Sequence, residues 1–117
     1  MNILAIIAIL ISIESGGQKH PETCIGDNGK AVGILQIHAI VVKDVNQRYG
    51  THYQWPADCK DPSKSKDIAV KYLTMYGKGK TPEQLARVWN GGPEGDHSTQ
   101  TMDYLKRFRE RAKGRAQ

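Results

Sequence analysis

The most apolar part of the chain is residues 3–13, where aliphatic side chains occupy nearly every position. A helix that is apolar on all sides is buried among other elements, so we expect a central, buried helix over residues 3–15. Gly16 and Gly17 follow directly and are typical of a helix end. Because a membrane-spanning helix needs ~20 residues, this run predicts a core helix rather than a transmembrane segment.

Further segments carry apolar residues at helical spacing. These predicted helices cover residues 37–49, 63–76, 82–90 and 101–113. Thr81 and Gln84 form a capping-box pattern at the start of one of them. The β-branched run 40–42 would also suit a strand, but its place between a loop and a polar helical stretch favours a helix.

Residues 18–33 are polar and contain several glycines, which predicts an irregular loop or a minimal β-ribbon over one side of the molecule. We find no convincing larger sheet in the pattern. A chain of 117 residues is long enough for one modest core. The expected fold class is therefore all-α, as a single compact domain over residues 1–117.

Short clusters place a polar residue at a helix edge beside glycine. They are residues 14–16, 33–37 and 89–92. Glu14 ends the apolar helix, where desolvation raises the pKa of a carboxylic acid, and such an acid can donate a proton in glycoside cleavage. The amides of Gln36 and Asn90 suit sugar hydroxyl and acetamide groups, and Trp89 offers a flat face to a sugar ring.

Each cluster alone has a simpler explanation, as a loop cap, a helix cap or a core aromatic residue. Their combination, in this order, resembles the lysozyme-like superfamily, namely the soluble lytic transglycosylase domain and its goose-type lysozyme relatives. The matching segments are Glu14-Ser15, Gly33-Ile34-Leu35-Gln36-Ile37, Val88-Trp89-Asn90-Gly91-Gly92 and Thr101-Met102-Asp103-Tyr104-Leu105. The resemblance covers nearly the whole chain. Trp89 stands where the family has tyrosine, so a role for a phenol hydroxyl there does not carry over.

The resemblance implies a lysozyme-like helical domain that cleaves the β-1,4 bond between N-acetylmuramic acid and N-acetylglucosamine in peptidoglycan. It implies that Glu14 is the general acid, with no cofactor. The residues that it implies in substrate binding are Ser15, Leu35, Gln36, Trp89, Asn90 and Tyr104. The expected partner is a peptidoglycan glycan strand, and the protein is expected to act as a monomer.

Asp27 decides between two chemical outcomes. A hydrolase needs a second carboxylate to activate water or act as the nucleophile, and Asp27 resembles a loop aspartate that goose-type lysozymes have before the Gly33 segment. A transglycosylase uses one glutamate twice and closes a 1,6-anhydro ring on the sugar. Asp27 also suits a turn, and His38 follows the Gln36-Ile37 pair where those lysozymes often have a further acid. These observations favour the transglycosylase, with the hydrolase left open.

The formal net charge is +5, and many of the cations belong to the last predicted helix. They are Lys106, Arg107, Arg109, Arg111, Lys113 and Arg115. They form either a solvated helix face or a surface attracted to an acidic cell wall. A nucleic-acid-binding protein would not need Glu14 beside a glycine-rich cleft, so we expect no nucleic-acid partner. A glycan-binding module without turnover is a further alternative.

The two cysteines, Cys24 and Cys59, either pair in an oxidising compartment or remain reduced packing residues. Histidine spacing predicts no metal site. Met1 and Asn2 supply no basic residue before the apolar run, so we expect no signal peptide. This pattern indicates either a phage-borne lysin released at lysis or one domain of a larger wall-remodelling enzyme that acts in the periplasm or outside the cell.

Overall fold

Five α-helices and a two-stranded β-ribbon make up the described part of the chain, residues 1–115, in the computed structural model. The helices are α1 (Ile3–Ser15), α2 (Ala39–Tyr49), α3 (Pro62–Tyr76), α4 (Pro82–Gly91) and α5 (Met102–Arg115). The strands are β1 (Ile25–Gly26) and β2 (Ala31–Val32). The predicted mainly α fold class is therefore confirmed, and short 3₁₀ turns join the elements.

Helix α1 packs against α3, α4 and α5, as its apolar sequence predicts. The side chain of Asn2 caps its first turn by accepting a hydrogen bond from the backbone N–H of Ala5 at 2.9 Å. Ile9 and Leu10, in the middle of the helix, are fully buried. Leu4 in the first turn remains 65% exposed, so other elements cover the second half of α1 more completely than its start.

The β-branched run 40–42 lies in helix α2, as predicted, but the helix begins at Ala39 rather than at residue 37. Ile37 is held in an isolated antiparallel bridge with Val32, in which the N–H of Ile37 donates to the carbonyl of Val32 at 2.9 Å. This bridge keeps the backbone extended until His38. A tertiary contact therefore moves the helix start that periodicity alone predicts.

The capping box predicted for α4 is present. The hydroxyl of Thr81 accepts from the N–H of Gln84 at 3.2 Å, and the side chain of Gln84 accepts from the N–H of Thr81 at 2.8 Å. Helix α3 begins at Pro62, one residue before the predicted start, because Asp61 caps it by accepting from the N–H of Lys64 at 3.1 Å. Local capping chemistry thus sets both helix starts.

The ribbon of β1 and β2 lies within residues 18–33, where a ribbon was one of the two expected structures. Ile25 pairs with Val32 and Gly26 with Ala31. The turn between the strands holds Asp27 at φ 52° and Asn28 at φ 57°, a left-handed conformation that is uncommon outside glycine. Strands of only two residues are too short to leave a period-2 pattern in the sequence.

Cys24 and Cys59 are free thiols in this structure. Cys59 packs in the core at 1% exposure, and burial, together with the negative charge of Asp58, raises the pKa of its thiol to about 11. A thiol with such a pKa stays protonated and is a poor nucleophile. Within residues 1–115, no helix has both the length and the apolar character needed to cross a membrane.

Candidate active site

A cavity of about 200 Å³ opens where the end of α1, the β-ribbon, the start of α2 and the end of α4 meet. Its lining residues are Glu14, Asp27, Ala31, Gln36, Ile37, His38, Val41, Trp89 and Asn90. Sequence analysis predicted five of them as site residues, namely Glu14, Asp27, Gln36, Trp89 and Asn90. The fold therefore brings together polar side chains from four separate segments.

The cavity continues into a second groove of about 270 Å³. The two share His38, Val41, Trp89 and Asn90, and the second extends towards the Gly91-Gly92 end of α4. Together they form a continuous cleft along one side of the molecule. A cleft of this length suits an extended ligand better than a single small ring.

Glu14 lies in the last turn of α1, on the wall of the cavity. Burial raises the pKa of its carboxyl group above the ordinary value of 4.5. A hydrogen bond from Tyr104, the positive charge of Arg107 and the indole of Trp89 oppose this shift without cancelling it. The environment thus favours the protonated acid and still provides groups that stabilise its anion.

Tyr104 holds the Glu14 carboxyl group from the side of α5. Its hydroxyl donates to Oε2 of Glu14 at 2.8 Å, and the residue is only 5% exposed. Burial and the negative charge of Glu14 raise the pKa of Tyr104 above its usual range, so the hydroxyl remains a donor. Tyr104, predicted as a cleft residue, lies behind the acid and positions it.

Ser15 and Leu35 lie behind the cavity wall rather than on it. The hydroxyl of Ser15 donates to the carbonyl of Ile34 at 2.8 Å, which ties the end of α1 to the 33–37 segment. Leu35 is fully buried in the core. Neither residue lines the cleft, and the Ser15 hydrogen bond ties the acid-bearing turn to the 33–37 segment. Contact of Ser15 and of the backbone around Leu35 with substrate stays a prediction.

Gln36 supports the ribbon with the amide that we expected to bind sugar. Its Nε2 donates to the carbonyls of Cys24 and Gly33, both at 3.0 Å, so both amide hydrogens have a partner. The residue adopts φ 51°, a strained conformation that costs ~1–3 kcal/mol and is found most often at functional sites. Only the carbonyl oxygen of its amide has bonding capacity left for a ligand.

A partly buried acid with a raised pKa, held by a tyrosine in an elongated cleft, matches the arrangement that the sequence motifs implied. The sequence profile of the transglycosylase SLT domain matches residues 2–111. The chain belongs to this family. The family is part of the lysozyme-like superfamily, and its members are peptidoglycan lytic transglycosylases, which cleave glycosidic bonds in the cell wall. A search of curated proteins found no match.

In this SLT domain, Asp27 and His38 face each other across the lip of the cleft. Nε2 of His38 lies 3.2 Å from Oδ2 of Asp27, and the Asp27 side chain is 60% exposed. His38 and Val41 also line the cavity, although sequence reasoning did not select them as ligand-binding residues. His38 and Val41 are three positions apart at the start of α2, so they lie on one face. This spacing could have been recognised in the sequence.

Trp89 and Asn90 complete the far wall of the SLT cleft. The Trp89 ring packs edge-on against Tyr72, with ring centroids 5.7 Å apart and an angle of 87° between the planes. Trp89 is partly buried and lines both parts of the cleft, while Asn90 is exposed beside it. The tryptophan thus serves both as a packing residue and as a cleft wall.

A larger apolar groove of about 460 Å³ lies between Met1, the start of α4 and the end of α5. It contains none of the predicted site residues, so we do not place the chemistry there. Among residues 1–115, no group of three or more His, Cys, Asp or Glu side chains is arranged to hold a metal ion.

Proposed function

We propose that this SLT domain is a lytic transglycosylase that cleaves the β-1,4 bond between N-acetylmuramic acid and N-acetylglucosamine. Glu14 would act first as the general acid and then as the general base. The observation that carries this proposal is the partly buried Glu14 carboxyl group, with its raised pKa and its 2.8 Å hydrogen bond from Tyr104, on the wall of an extended cleft.

In the first step, protonated Glu14 gives its proton to the glycosidic oxygen as the bond between that oxygen and C1 of the muramyl residue breaks. A raised pKa keeps a larger fraction of the acid protonated near neutral pH, which suits this role. The resulting carboxylate is stabilised by the hydroxyl of Tyr104 and the charge of Arg107. In the free enzyme, burial outweighs these two influences, so the pKa of Glu14 stays above its ordinary value.

In the second step, the Glu14 carboxylate accepts the proton of the muramyl C6 hydroxyl while the C6 oxygen forms a bond to C1. The product is a 1,6-anhydro sugar, and Glu14 is protonated again for the next cycle. No water is consumed, so one carboxyl group suffices. A mechanism that needs one carboxyl group agrees with a cleft in which the other carboxylate, Asp27, contacts His38.

A hydrolytic muramidase is the second candidate, because Asp27 lines the same cavity as Glu14. In that enzyme Asp27 would position or activate water. The contact between His38 Nε2 and Asp27 Oδ2 and the left-handed turn at Asp27 favour a structural role instead. A non-catalytic glycan-binding module would use the same cleft, but it would gain nothing from a buried acid, whose desolvation is costly.

The direct test replaces Glu14 with glutamine, which keeps the shape and can still accept from Tyr104 but cannot supply a proton. We expect clearance of a cell-wall suspension to fall by at least ~10²-fold, the usual contribution of general acid catalysis. Glu110→Gln, on the exposed side of α5, is the matched control and should clear the suspension like the parent.

A folded Glu14→Gln variant with nearly parental clearance would refute the assignment of the acid. Sedimentation with intact walls distinguishes the binding-module alternative. A parent protein that binds walls tightly but releases no soluble glycan would favour that alternative over an enzyme.

A further inference from the structure

His38 stands where the two parts of the cleft meet. It lines both the cavity that holds Glu14 and the second groove, and its side chain is 42% exposed. Val41, Trp89 and Asn90 also line both parts. A glycan strand that extends from the acid into the second groove therefore passes the imidazole of His38.

The backbone on both sides of His38 is fixed by hydrogen bonds. The carbonyl of Ile37 accepts from the N–H of Val32 at 3.2 Å and from the indole N–H of Trp55 at 2.9 Å. The carbonyl of His38 itself accepts from the N–H of Val41 at 3.1 Å. Because this part of the cleft wall is already ordered, binding of a ligand to His38 costs less conformational entropy.

The side chain of His38 does not cap helix α2, although the residue occupies the N-cap position. Ser, Thr, Asp and Asn are preferred there, because their side chains accept from N–H groups of the first turn. The imidazole forms no such hydrogen bond. Within residues 1–115, its close polar contact is that of Nε2 with Oδ2 of Asp27, at 3.2 Å. Helix capping therefore gives no reason for a histidine at this position.

The contact with Asp27 determines what the other ring nitrogen of His38 offers to a ligand. A carboxylate oxygen is an acceptor, so it favours the neutral imidazole that carries its hydrogen on Nε2. Nδ1 is then an acceptor, and it has no hydrogen-bond partner among the described residues. The hydroxyl and acetamide N–H groups of a glycan are donors that match it.

We propose that His38 is a glycan-binding residue, whose Nδ1 accepts a hydrogen bond from the substrate where the two parts of the cleft meet. This role rests on the proposed function, because it assigns a contact with the same substrate in the same cleft. The contact does not involve the bond that breaks, so it stabilises the bound substrate and the transition state equally. Loss of such a contact raises KM and leaves kcat unchanged.

Two substitutions separate the ring nitrogens, because the oxygen of asparagine reaches the position of Nδ1 and the amide of glutamine reaches that of Nε2. On solubilised wall glycan, we expect His38→Gln to raise KM about tenfold and to change kcat less than about twofold. His38→Asn keeps an acceptor near Nδ1 and should raise KM less than about threefold. His52→Gln, at an exposed histidine outside the cleft, is the matched control and should keep the parental values.

Binding to a variant that also carries Glu14→Gln measures the affinity apart from the catalytic steps. Isothermal titration calorimetry with the same glycan gives the Kd. We expect His38→Gln to raise this Kd about tenfold in the Glu14→Gln background, and His52→Gln to leave it unchanged.

A His38→Gln variant with parental KM and Kd would overturn the role of His38 while leaving the proposed function intact. A fall in kcat at parental KM would also overturn it, since His38 would then act on the reaction rather than on binding. Equal rises in KM for His38→Gln and His38→Asn would overturn the assignment to Nδ1. A parent protein that binds the glycan without cleaving it would instead refute the proposed function, and the Kd comparison would still test His38.

Discussion

At the residue scale, the chemistry depends on opposing influences on one carboxyl group. Burial raises the pKa of Glu14, while Tyr104 and Arg107 lower it. The sequence alone predicted that burial raises the pKa of Glu14, because this residue ends an apolar helix. It could not reveal from spacing that Tyr104 and Arg107, about ninety residues later in the chain, meet this acid; only the family resemblance placed Tyr104 there.

The raised pKa of Glu14 has a consequence for stability. Its pKa is higher in the folded protein than in the unfolded chain, so ionisation costs the folded state more. The protonated acid therefore adds to the free energy of unfolding relative to the ionised acid. This addition is fully present below the pKa of the unfolded chain and is lost as the pH rises through the pKa of the folded protein. We therefore expect Glu14→Gln to unfold at a higher temperature than the parent at pH 7. This difference should shrink as the pH falls through the raised pKa of the folded protein and disappear below the ordinary pKa of 4.5.

Thermal unfolding followed by circular dichroism from pH 3.5 to pH 8 measures this difference. The exposed control Glu110→Gln should show no such pH-dependent gap. A Glu14→Gln variant that is less stable than the parent at pH 7 would mean that the carboxylate is stabilised by its neighbours more than burial penalises it.

Asp27 provides the second prediction at this scale. Asparagine tolerates the left-handed conformation of the turn almost as well as aspartate, so Asp27→Asn should change only the contact with His38. We expect wall clearance to fall less than tenfold, on the order of 1 kcal/mol in the activation barrier. A loss as deep as that of Glu14→Gln would show that Asp27 takes part in the chemistry and would favour the hydrolase.

At the element scale, the helices were predictable and the ribbon was only partly so. Apolar periodicity and capping residues located all five helices to within a few residues, because both signals are local. The ribbon has two residues in each strand and depends on contacts from elsewhere. Gln36 bonds to Cys24, and Gly33 lies against the backbone of Cys59. Neither contact has a local sequence signal.

Gly33 is the position where the ribbon segment is least tolerant of a side chain. It adopts φ 85°, and a Cβ there would overlap the carbonyl oxygen of Cys59. Gly29 adopts nearly the same φ, 88°, with open space around it. Gly29→Ala should therefore cost ~1–2 kcal/mol through backbone conformation alone, while Gly33→Ala should cost about 1–3 kcal/mol more through the overlap.

Urea unfolding of the two alanine variants gives both free energies of unfolding. Equal losses would mean that the segment shifts away from Cys59 without cost, and that the close approach at Gly33 does not hold the ribbon in place.

At the scale of the whole molecule, the cleft is assembled from elements that are distant in sequence. The sequence predicted Glu14, Asp27, Gln36, Trp89 and Asn90 as site residues, and the fold brings them to one cavity. It did not predict that Leu35 is fully buried, because burial depends on how the 33–37 segment packs against α1. Which residues of an element face inward is a property of the packed molecule.

The fold of the whole molecule also determines where the basic residues behind the net charge of +5 lie. Sequence analysis treated the basic residues of the last helix as one group, either a solvated helix face or a surface attracted to an acidic wall. In the folded protein Arg111 bonds to the carbonyl of Ser12, and Arg109 forms an ion pair with Glu83. Lys106 and Lys113 lie on the exposed outer face of α5. Attraction of the outer-face cations to the wall stays a prediction, and it would weaken as salt shortens the screening length.

The central claim is that Glu14 serves as both acid and base in a transglycosylase, and the products of the parent protein test it most directly. Purified peptidoglycan is digested to completion, and the soluble fragments are identified by mass spectrometry without chemical reduction. A fragment with a 1,6-anhydro muramyl end is lighter by one water than the fragment that hydrolysis produces. We predict 1,6-anhydro ends on nearly all new termini. A digest dominated by reducing ends would contradict the account and identify a hydrolase.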